Sequence, residues 1–172
     1  MFVDEVVFQQ AGTLLRTWAL TGTGTQAKSE SVRKSVKAYG ALRIDADSPG
    51  FHFRFEQDKF NSEGFTSFVE QLMFQYAMKG QTIHLILDGA GYHKKAVNEW
   101  PKEYAHLVKF YFLPPYSPDL NPTEQVWRRT KKEATHNRYF KTLEDLRERL
   151  FRRFNRFQGN PTSLLGLMQA FI

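Results

Sequence analysis

The sequence contains no cysteine, and none of its apolar runs approaches the roughly 18 residues that a membrane-spanning helix requires. The lack of cysteine excludes disulfide bonds and thiolate zinc sites, and it is consistent with a reducing cytoplasm. No charged segment followed by an apolar one precedes the first apolar run, so a secretion signal is also disfavoured. The sequence therefore predicts a cytoplasmic protein that has no membrane contact.

Apolar and basic residues are both plentiful. The chain has 172 residues, of which 41% are hydrophobic and 15% aromatic, enough to bury the core of one domain. The net charge is +6, and its source is uneven: residues 92–172 hold fifteen Lys and Arg against eight Asp and Glu, while residues 1–91 hold nine against ten. This excess of positive charge predicts a polyanionic partner, although basic helices also occur as plain solvated faces.

The most informative stretch runs from residue 83 to residue 124. Its first apolar run, IHLIL, predicts a buried strand that ends at Asp88 and is broken by Gly89. A second apolar run, residues 107–113, ends in two prolines, after which Asn121 and Glu124 open a helical pattern. Thirty-five residues lie between Asp88 and Glu124, enough for one helix and one strand, so the two carboxylates can return to the same edge of a sheet.

The segments LILDGAGYHK and FLPPYSPDLNPTEQVW resemble the second and third acidic motifs of DDE transposases in the mariner-like superfamily, specifically its bacterial insertion-sequence branch. The resemblance implies an α/β protein with a ribonuclease H-like fold, a five-stranded mixed sheet flanked by helices. In that family an Asp, a second Asp and a Glu bind divalent metal. On this sequence, the resemblance makes Asp88 the second acid and Glu124 the third, and the first matches Asp4 in FVDEVVF.

Asp4 lies in an apolar segment in which neither alternating face is polar throughout, as expected for a central strand covered on both sides. A buried carboxylate needs a cation, a partner or an exposed position. Three alternatives remain open at this stage. In the first, the strand is frayed, and Asp4 and Glu5 both lie in water. In the second, Glu5 on the opposite face is the first acid. In the third, Asp45 or Asp47 is the first acid, although Asp is common beside turns.

The remaining elements follow from apolar spacing and turn residues. Strands are predicted at residues 14–20, paired to the first through Ala11 and Gly12, at 36–45 and at FHFRF. The segment TGTGTQAKSES is predicted to be a loop, and Asn61 or Ser62 caps a helix that Gly80 ends. The buried stripe of that helix is Phe65, Phe68, Val69, Leu72, Met73, Tyr76 and Ala77. Thr142 and Asp145 cap a last long helix, whose predicted stripe is Leu143, Leu146, Leu150, Phe151, Phe154 and Phe157.

If the strand that ends at Asp88 pairs beside the first, Asp4 and Asp88 become neighbours.

Glu124 also has a local interpretation. Asn121, Pro122 and Glu124 stand where a helix cap, a first-turn proline and the acid of a capping box belong. On local grounds alone Glu124 would be a capping residue, whereas the motif match and its spacing favour metal binding.

Basic side chains near the motifs are candidate DNA contacts. His93 lies five residues after Asp88, where the family usually has a His, but magnesium prefers oxygen ligands. A hydrogen bond from His93 to a DNA phosphate, or a local structural role, is the better prediction. Gly89 stands where many relatives have Asn, so no role is assigned to that side chain. The predicted DNA-binding residues are His93, Lys94, Arg128, Arg129, Lys132, Arg152 and Arg153.

The resemblance implies that Asp4, Asp88 and Glu124 bind two Mg²⁺ or Mn²⁺ ions, cut DNA at the ends of a mobile element and join the freed 3′ ends to target DNA. It also implies a homodimer in a synaptic complex, associated with the bacterial nucleoid when active. We expect residues 1–158 to form the catalytic domain and residues 159–172 a C-terminal tail, with no helix-turn-helix region before Asp4. The alternatives are another ribonuclease H-like nuclease, or a non-catalytic DNA-binding relic that relies on its Arg-rich helices.

Overall fold

Five strands form one mixed sheet in the order β3-β2-β1-β4-β5. The strands are β1 (Phe2–Gln9), β2 (Ser35–Arg43), β3 (Gly50–Glu56), β4 (Ile83–Leu87) and β5 (Val108–Phe112). The computed structural model describes residues 1–14, 20–22, 33–45, 47–77 and 79–168. The predicted five-stranded mixed sheet is therefore confirmed.

Strand β1 lies at the centre of this sheet. It pairs antiparallel with β2, which pairs antiparallel with β3, while β4 pairs parallel with β1 and with β5. The register sets Phe2 opposite Ile86, so Asp4 and Asp88 each lie two residues further along adjacent parallel strands. The predicted pairing of β4 beside β1 is confirmed, and it brings the two acids to the same level of the sheet.

Helices cover both faces of the sheet. They are α1 (Ser62–Ala77), α2 (Gly91–Asn98), α3 (Thr123–Thr130), α4 (Leu143–Gly159) and α5 (Leu165–Met168), with a π-helical turn at Lys131–Thr135 after α3. Short 3₁₀ turns lie at Lys102–Tyr104, Pro118–Leu120 and Pro161–Leu164. Within the described residues, no helix is both long and apolar enough to cross a membrane.

Helices α1 and α2 pack on one face. The α1 stripe is buried as its periodicity predicts, from Phe65 to Tyr76, against Val3, Leu85 and other apolar residues of the sheet. Asn61 caps the helix, because its Oδ1 accepts the backbone N–H of Gly64 at 2.7 Å. Gly80 follows with a positive φ of 67°, a conformation that favours glycine after a helix.

Helices α3 and α4 pack on the other face, against Val6, Phe8 and Phe51. The predicted capping box of α4 forms: Thr142 Oγ1 accepts the N–H of Asp145, and Asp145 Oδ2 accepts the N–H of Thr142. One residue of the predicted stripe is corrected, since Phe151 remains 49% exposed. After α4, Leu164 and Met168 are buried in the same core, so the domain itself covers this part of the C-terminal tail.

Two predicted segments differ or lie outside the described residues. The strand predicted at 14–20 falls largely on residues that are not described, as does most of the loop TGTGTQAKSES, and the antiparallel partner of β1 is β2. Strand β2 ends at Arg43 rather than at residue 45. Asp45 instead forms a turn, because its Oδ1 accepts the N–H groups of Asp47 and Ser48.

Candidate active site

A groove of about 630 Å³ opens at the carboxyl ends of β4 and β5, beside the first half of β1 and the first turn of α3. Three carboxylates line it: Asp4 from β1, Asp88 immediately after β4, and Glu124 in the first turn of α3. We call it the acidic groove, and the rest of its lining is Gly89, Ala90, Lys94, Asn121 and the segment from Phe112 to Pro118. The structure thus brings together the three acids that the sequence predicts, whereas Asp45 and Asp47 lie outside this lining.

Asp4 is largely buried and has a defined partner. The indole Nε1–H of Trp127 on α3 donates to Asp4 Oδ2 at 3.0 Å. Burial, followed by the nearby charges of Glu124 and Glu5, raises the pKa of Asp4 to about 7. The alternative of a frayed first strand is wrong, because β1 pairs with β2 along its whole length from Phe2 to Gln9.

Asp88 is anchored through one of its oxygens. Its Oδ1 accepts the backbone N–H of Ala90 at 3.0 Å and lies 2.7 Å from Nδ1 of His93. The hydrogen bond from His93 lowers the pKa of Asp88, so this carboxylate is ionised at neutral pH. The Asp88 side chain is 54% exposed, and within the described part of the chain Oδ2 has no hydrogen-bond partner.

Glu124 is exposed and does not cap its helix. A capping box would require its side chain to accept the N–H of Asn121, but that N–H donates to the carbonyl of Pro118 at 2.9 Å. Asn121 instead forms a turn before the helix, since its Oδ1 accepts the N–H of Thr123 at 3.1 Å. The capping interpretation of Glu124 is wrong, and among the described residues no hydrogen bond engages its carboxylate.

His93 is fully buried rather than exposed to a ligand. Its Nδ1 contacts Asp88, and its Nε2 lies 2.9 Å from Oε1 of Glu5, whose side chain is also buried. Burial alone would lower the pKa of His93, but the hydrogen bonds to Asp88 and Glu5 outweigh it and raise the pKa to about 9. The assignment of His93 to DNA binding is therefore corrected, because both ring nitrogens are occupied, and the structural alternative holds.

Glu5 and Trp127 are the site residues whose contacts sequence reasoning missed. Strand alternation did place Glu5 on the face opposite Asp4, but it does not identify His93 as the side chain that Glu5 meets, and no local pattern pairs Trp127 with Asp4.

The other predicted DNA-binding residues are basic side chains in different settings. Lys94 lines the acidic groove, and its Nζ would lie 3.8 Å from a Cβ added at Gly89, so a larger residue would fit at that position. Arg128 and Lys132 are exposed. Arg129 and Arg153 form ion pairs with Glu133, and Arg152 forms one with Glu148.

The donor atoms in the acidic groove are of the chemical type that binds a hard divalent cation. Asp4, Asp88 and Glu124 offer only carboxylate oxygens, which Mg²⁺ and Mn²⁺ prefer, and the repulsion between Glu124 and Asp4 is the kind that a cation relieves. Within the described residues, however, no group of three or more His, Asp or Glu side chains is close enough to hold one ion together. The acids therefore share one groove without forming a closed coordination site.

A central β1 flanked by antiparallel β2 and parallel β4, with acids on β1, after β4 and on the helix after β5, defines the ribonuclease H-like class of α/β domains. Residues 1–147 match the family described as DDE superfamily endonuclease, and the chain belongs to that family.

Solved structures of a mariner transposase share this fold. The Mos1 transposase paired-end complex with left transposon end is similar with a TM-score of 0.64 and 14% identity, over 90% of this chain and 47% of that one. The Mos1 mariner paired end complex with Mn has a TM-score of 0.63 and 16% identity over the same shares. The Mos1 Strand Transfer Complex has a TM-score of 0.60 and 18% identity, again over 90% and 47%. The family match confirms the resemblance to DDE enzymes that the sequence motifs carry, and the similar structures confirm the predicted fold, while the bacterial insertion-sequence branch stays a prediction.

One curated relative is similar over a shorter stretch. It is the uncharacterized protein y4pE/y4sA of Sinorhizobium fredii (strain NBRC 101917 / NGR234), 32% identical over 83 residues, which are 48% of this chain and 58% of the relative. The chain thus spans less than two thirds of this relative and about half of each Mos1 chain.

Proposed function

We propose that this domain is the catalytic part of a DNA transposase, which cuts phosphodiester bonds at transposon ends and transfers the freed 3′ ends to target DNA. The observation that carries the proposal is the convergence of Asp4, Asp88 and Glu124 on one groove from three separate elements. Membership of the DDE superfamily endonucleases supports nuclease chemistry. The similar Mos1 structures, which are described as a paired-end complex with a transposon end and as a strand transfer complex, extend the proposal to transposition.

The three acids would hold Mg²⁺ or Mn²⁺, as two ions. When bound, these ions supply Lewis-acid chemistry, which activates a water or a 3′-hydroxyl and stabilises the leaving oxygen of an in-line displacement at phosphorus. The protein's part is to present oriented carboxylate oxygens. Trp127 holds Oδ2 of Asp4, and Ala90 holds Oδ1 of Asp88 through its backbone N–H, so each carboxylate keeps one oxygen without a hydrogen bond from these partners.

DNA would be bound by basic side chains around the acidic groove. Lys94 lies in the groove itself, and Arg128 follows Glu124 by one helical turn on α3. Arg129, Lys132, Arg152 and Arg153 would extend these phosphate contacts along α3 and α4. Two copies would act together on two transposon ends, in the bacterial nucleoid.

Divalent metal binding tests the site directly. We expect calorimetry to detect Mn²⁺ binding by the native chain in the presence of a DNA duplex, and expect Asp4→Asn, Asp88→Asn and Glu124→Gln each to weaken it while circular dichroism stays native. Asp119→Asn is the matched control, because Asp119 is an exposed acid in the adjacent 3₁₀ turn that does not line the groove. Equal Mn²⁺ affinity in the native chain and all three variants would contradict the proposal.

Products distinguish the proposed transposase from the alternatives. A transposase yields Mn²⁺-dependent cleavage together with strand-transfer products in which oligonucleotide 3′ ends are joined to a plasmid. Cleavage without joined products would indicate another ribonuclease H-like nuclease. DNA binding with no metal-dependent cleavage would indicate a non-catalytic relic. Asp88→Asn is expected to abolish both cleavage and joining while leaving the fold intact.

A further inference from the structure

We infer that His93 and Glu5 are positioning residues for metal binding, in a buried chain Glu5–His93–Asp88 that fixes which oxygen of Asp88 a divalent cation can reach. The inference rests on the proposed function, because it concerns the metal site of that function. It adds two residues that contact neither the metal nor DNA.

Asp88 needs such support because of where it lies. It follows the last residue of β4, so its backbone lies beyond the hydrogen-bonded part of that strand, and its side chain is half exposed. Its Oδ1 is fixed from two directions, by the backbone N–H of Ala90 and by Nδ1 of His93. These two contacts set the rotation of the carboxylate and leave Oδ2 for a ligand.

The ring of His93 is itself immobilised. It lies between the rings of Phe65 on α1 and Tyr92 on α2, with centroid separations of 4.5 Å and 4.4 Å. Its second nitrogen contacts Oε1 of Glu5, a residue on the central strand whose side chain is only 8% exposed. The orientation of Asp88 is therefore tied through His93 to the most rigid element of the sheet.

Stability alone does not account for this chain. A buried pair of ionisable groups is usually no more stabilising than apolar residues of similar volume, because both groups lose their hydration. The imidazole of His93 otherwise contacts the aromatic rings of Phe65 and Tyr92. We therefore attribute the buried polar groups to their effect on Asp88. Partners of metal-binding side chains that act in this way typically change metal affinity about 10- to 100-fold when they are removed.

Two substitutions of His93 separate positioning from packing. Asn places its amide nitrogen where Nδ1 of His lies and keeps a donor for Asp88, whereas Gln places its amide nitrogen near Nε2 and keeps only the contact with Glu5. Both variants are uncharged and polar. We expect His93→Gln to weaken Mn²⁺ binding about tenfold or more, measured by calorimetry with a DNA duplex present, and His93→Asn to stay within about threefold of the native chain.

The outcomes decide between the two roles. Native Mn²⁺ affinity in both variants, or equal weakening in both, overturns the positioning role, because the donor to Asp88 then makes no difference. His52→Gln is the control for loss of a partly buried histidine away from the groove, and it should bind Mn²⁺ like the native chain.

Glu5→Gln tests the positioning role if His93→Gln does not fold. Glu5→Gln keeps an oxygen acceptor for Nε2 but removes the charge, so it should weaken Mn²⁺ binding about threefold or more, and unchanged affinity overturns the inference. Absence of Mn²⁺ binding by the native chain would instead overturn the proposed function, and the role of His93 with it.

Discussion

Gly40 of β2 is a residue at which one added methyl group would disturb both the core and the acidic groove. A Cβ at Gly40 would overlap the indole of Trp127, with Cζ2 at 2.6 Å. The same indole donates from Nε1 to Asp4, so the absence of a side chain at Gly40 permits the Trp127 position that holds the first acid. A core contact and a site contact thus depend on one glycine.

We therefore expect Gly40→Ala to lower the free energy of unfolding by about 1–3 kcal/mol, because an overpacked core forces side chains out of place. Urea unfolding followed by circular dichroism measures this change. Gly50→Ala is the matched control in the same sheet, since the nearest atoms to its added Cβ lie at 3.7 Å, and its effect should stay within about 0.5 kcal/mol. Equal stability of the two variants would contradict the packing argument.

At the scale of the elements, a partly buried histidine that has no part in the proposed chemistry joins β3 to α1. His52 of β3 lies 2.8 Å from the hydroxyl of Tyr76 on α1. Burial, followed by the charges of Arg43 and Lys79, lowers the pKa of His52 to about 4. The packing of α1 on the sheet thus requires a neutral imidazole at this position.

This contact predicts a loss of stability in acid. In the unfolded chain a histidine titrates near its ordinary pKa of about 6.5, so between that pH and about 4 the unfolded chain binds more protons than the folded one. The free energy of unfolding should decrease as the pH falls through this window, by about 2 kcal/mol from this group between pH 7.5 and 5. Urea unfolding at both pH values measures it, and in His52→Gln the decrease should be smaller by that amount. An identical pH dependence in the variant would contradict the prediction.

At the scale of the whole molecule, positive charge is concentrated in the half of the chain that follows the second acid. Residues 92–172 contribute the whole excess of the net charge of +6, and α3 carries part of it at Arg128 and Arg129, after Glu124. Binding to DNA through such charges releases counterions and therefore weakens as salt increases.

We expect the logarithm of the affinity for a duplex oligonucleotide to fall linearly with the logarithm of salt concentration, and Arg128→Gln to reduce that slope by about 0.9, the loss of one phosphate contact. Arg147→Gln is the matched control, because the guanidinium of Arg147 is already engaged within the domain. Its Nη1 lies 3.9 Å from Oε2 of Glu144, and the group lies over the ring of Phe55 on β3. Fluorescence anisotropy over a salt series measures the slopes. Equal slopes for the two variants would place DNA on another surface.

Much of the fold follows from local patterns. The alternation in β1, the apolar stripe of α1 and the capping box of α4 each depend on residues close in sequence, which is why they are predictable. Asp88 and Glu124 are predictable because each lies at the boundary of an element, within a motif that resembles those of a known family, whereas local grounds alone would make Glu124 a capping residue.

The partners of those acids were decided by the tertiary structure alone. Glu5 meets His93 across a separation of 88 positions, and Trp127 meets Asp4 across 123, so no local pattern contains either pair. Sequence periodicity assigns a side chain to a face of its strand or helix, but the pairing of strands and the packing of helices decide which side chain stands opposite. For that reason the sequence by itself determined which carboxylates this protein brings to the sheet edge, and only the assembled sheet and helices decided how each one is held.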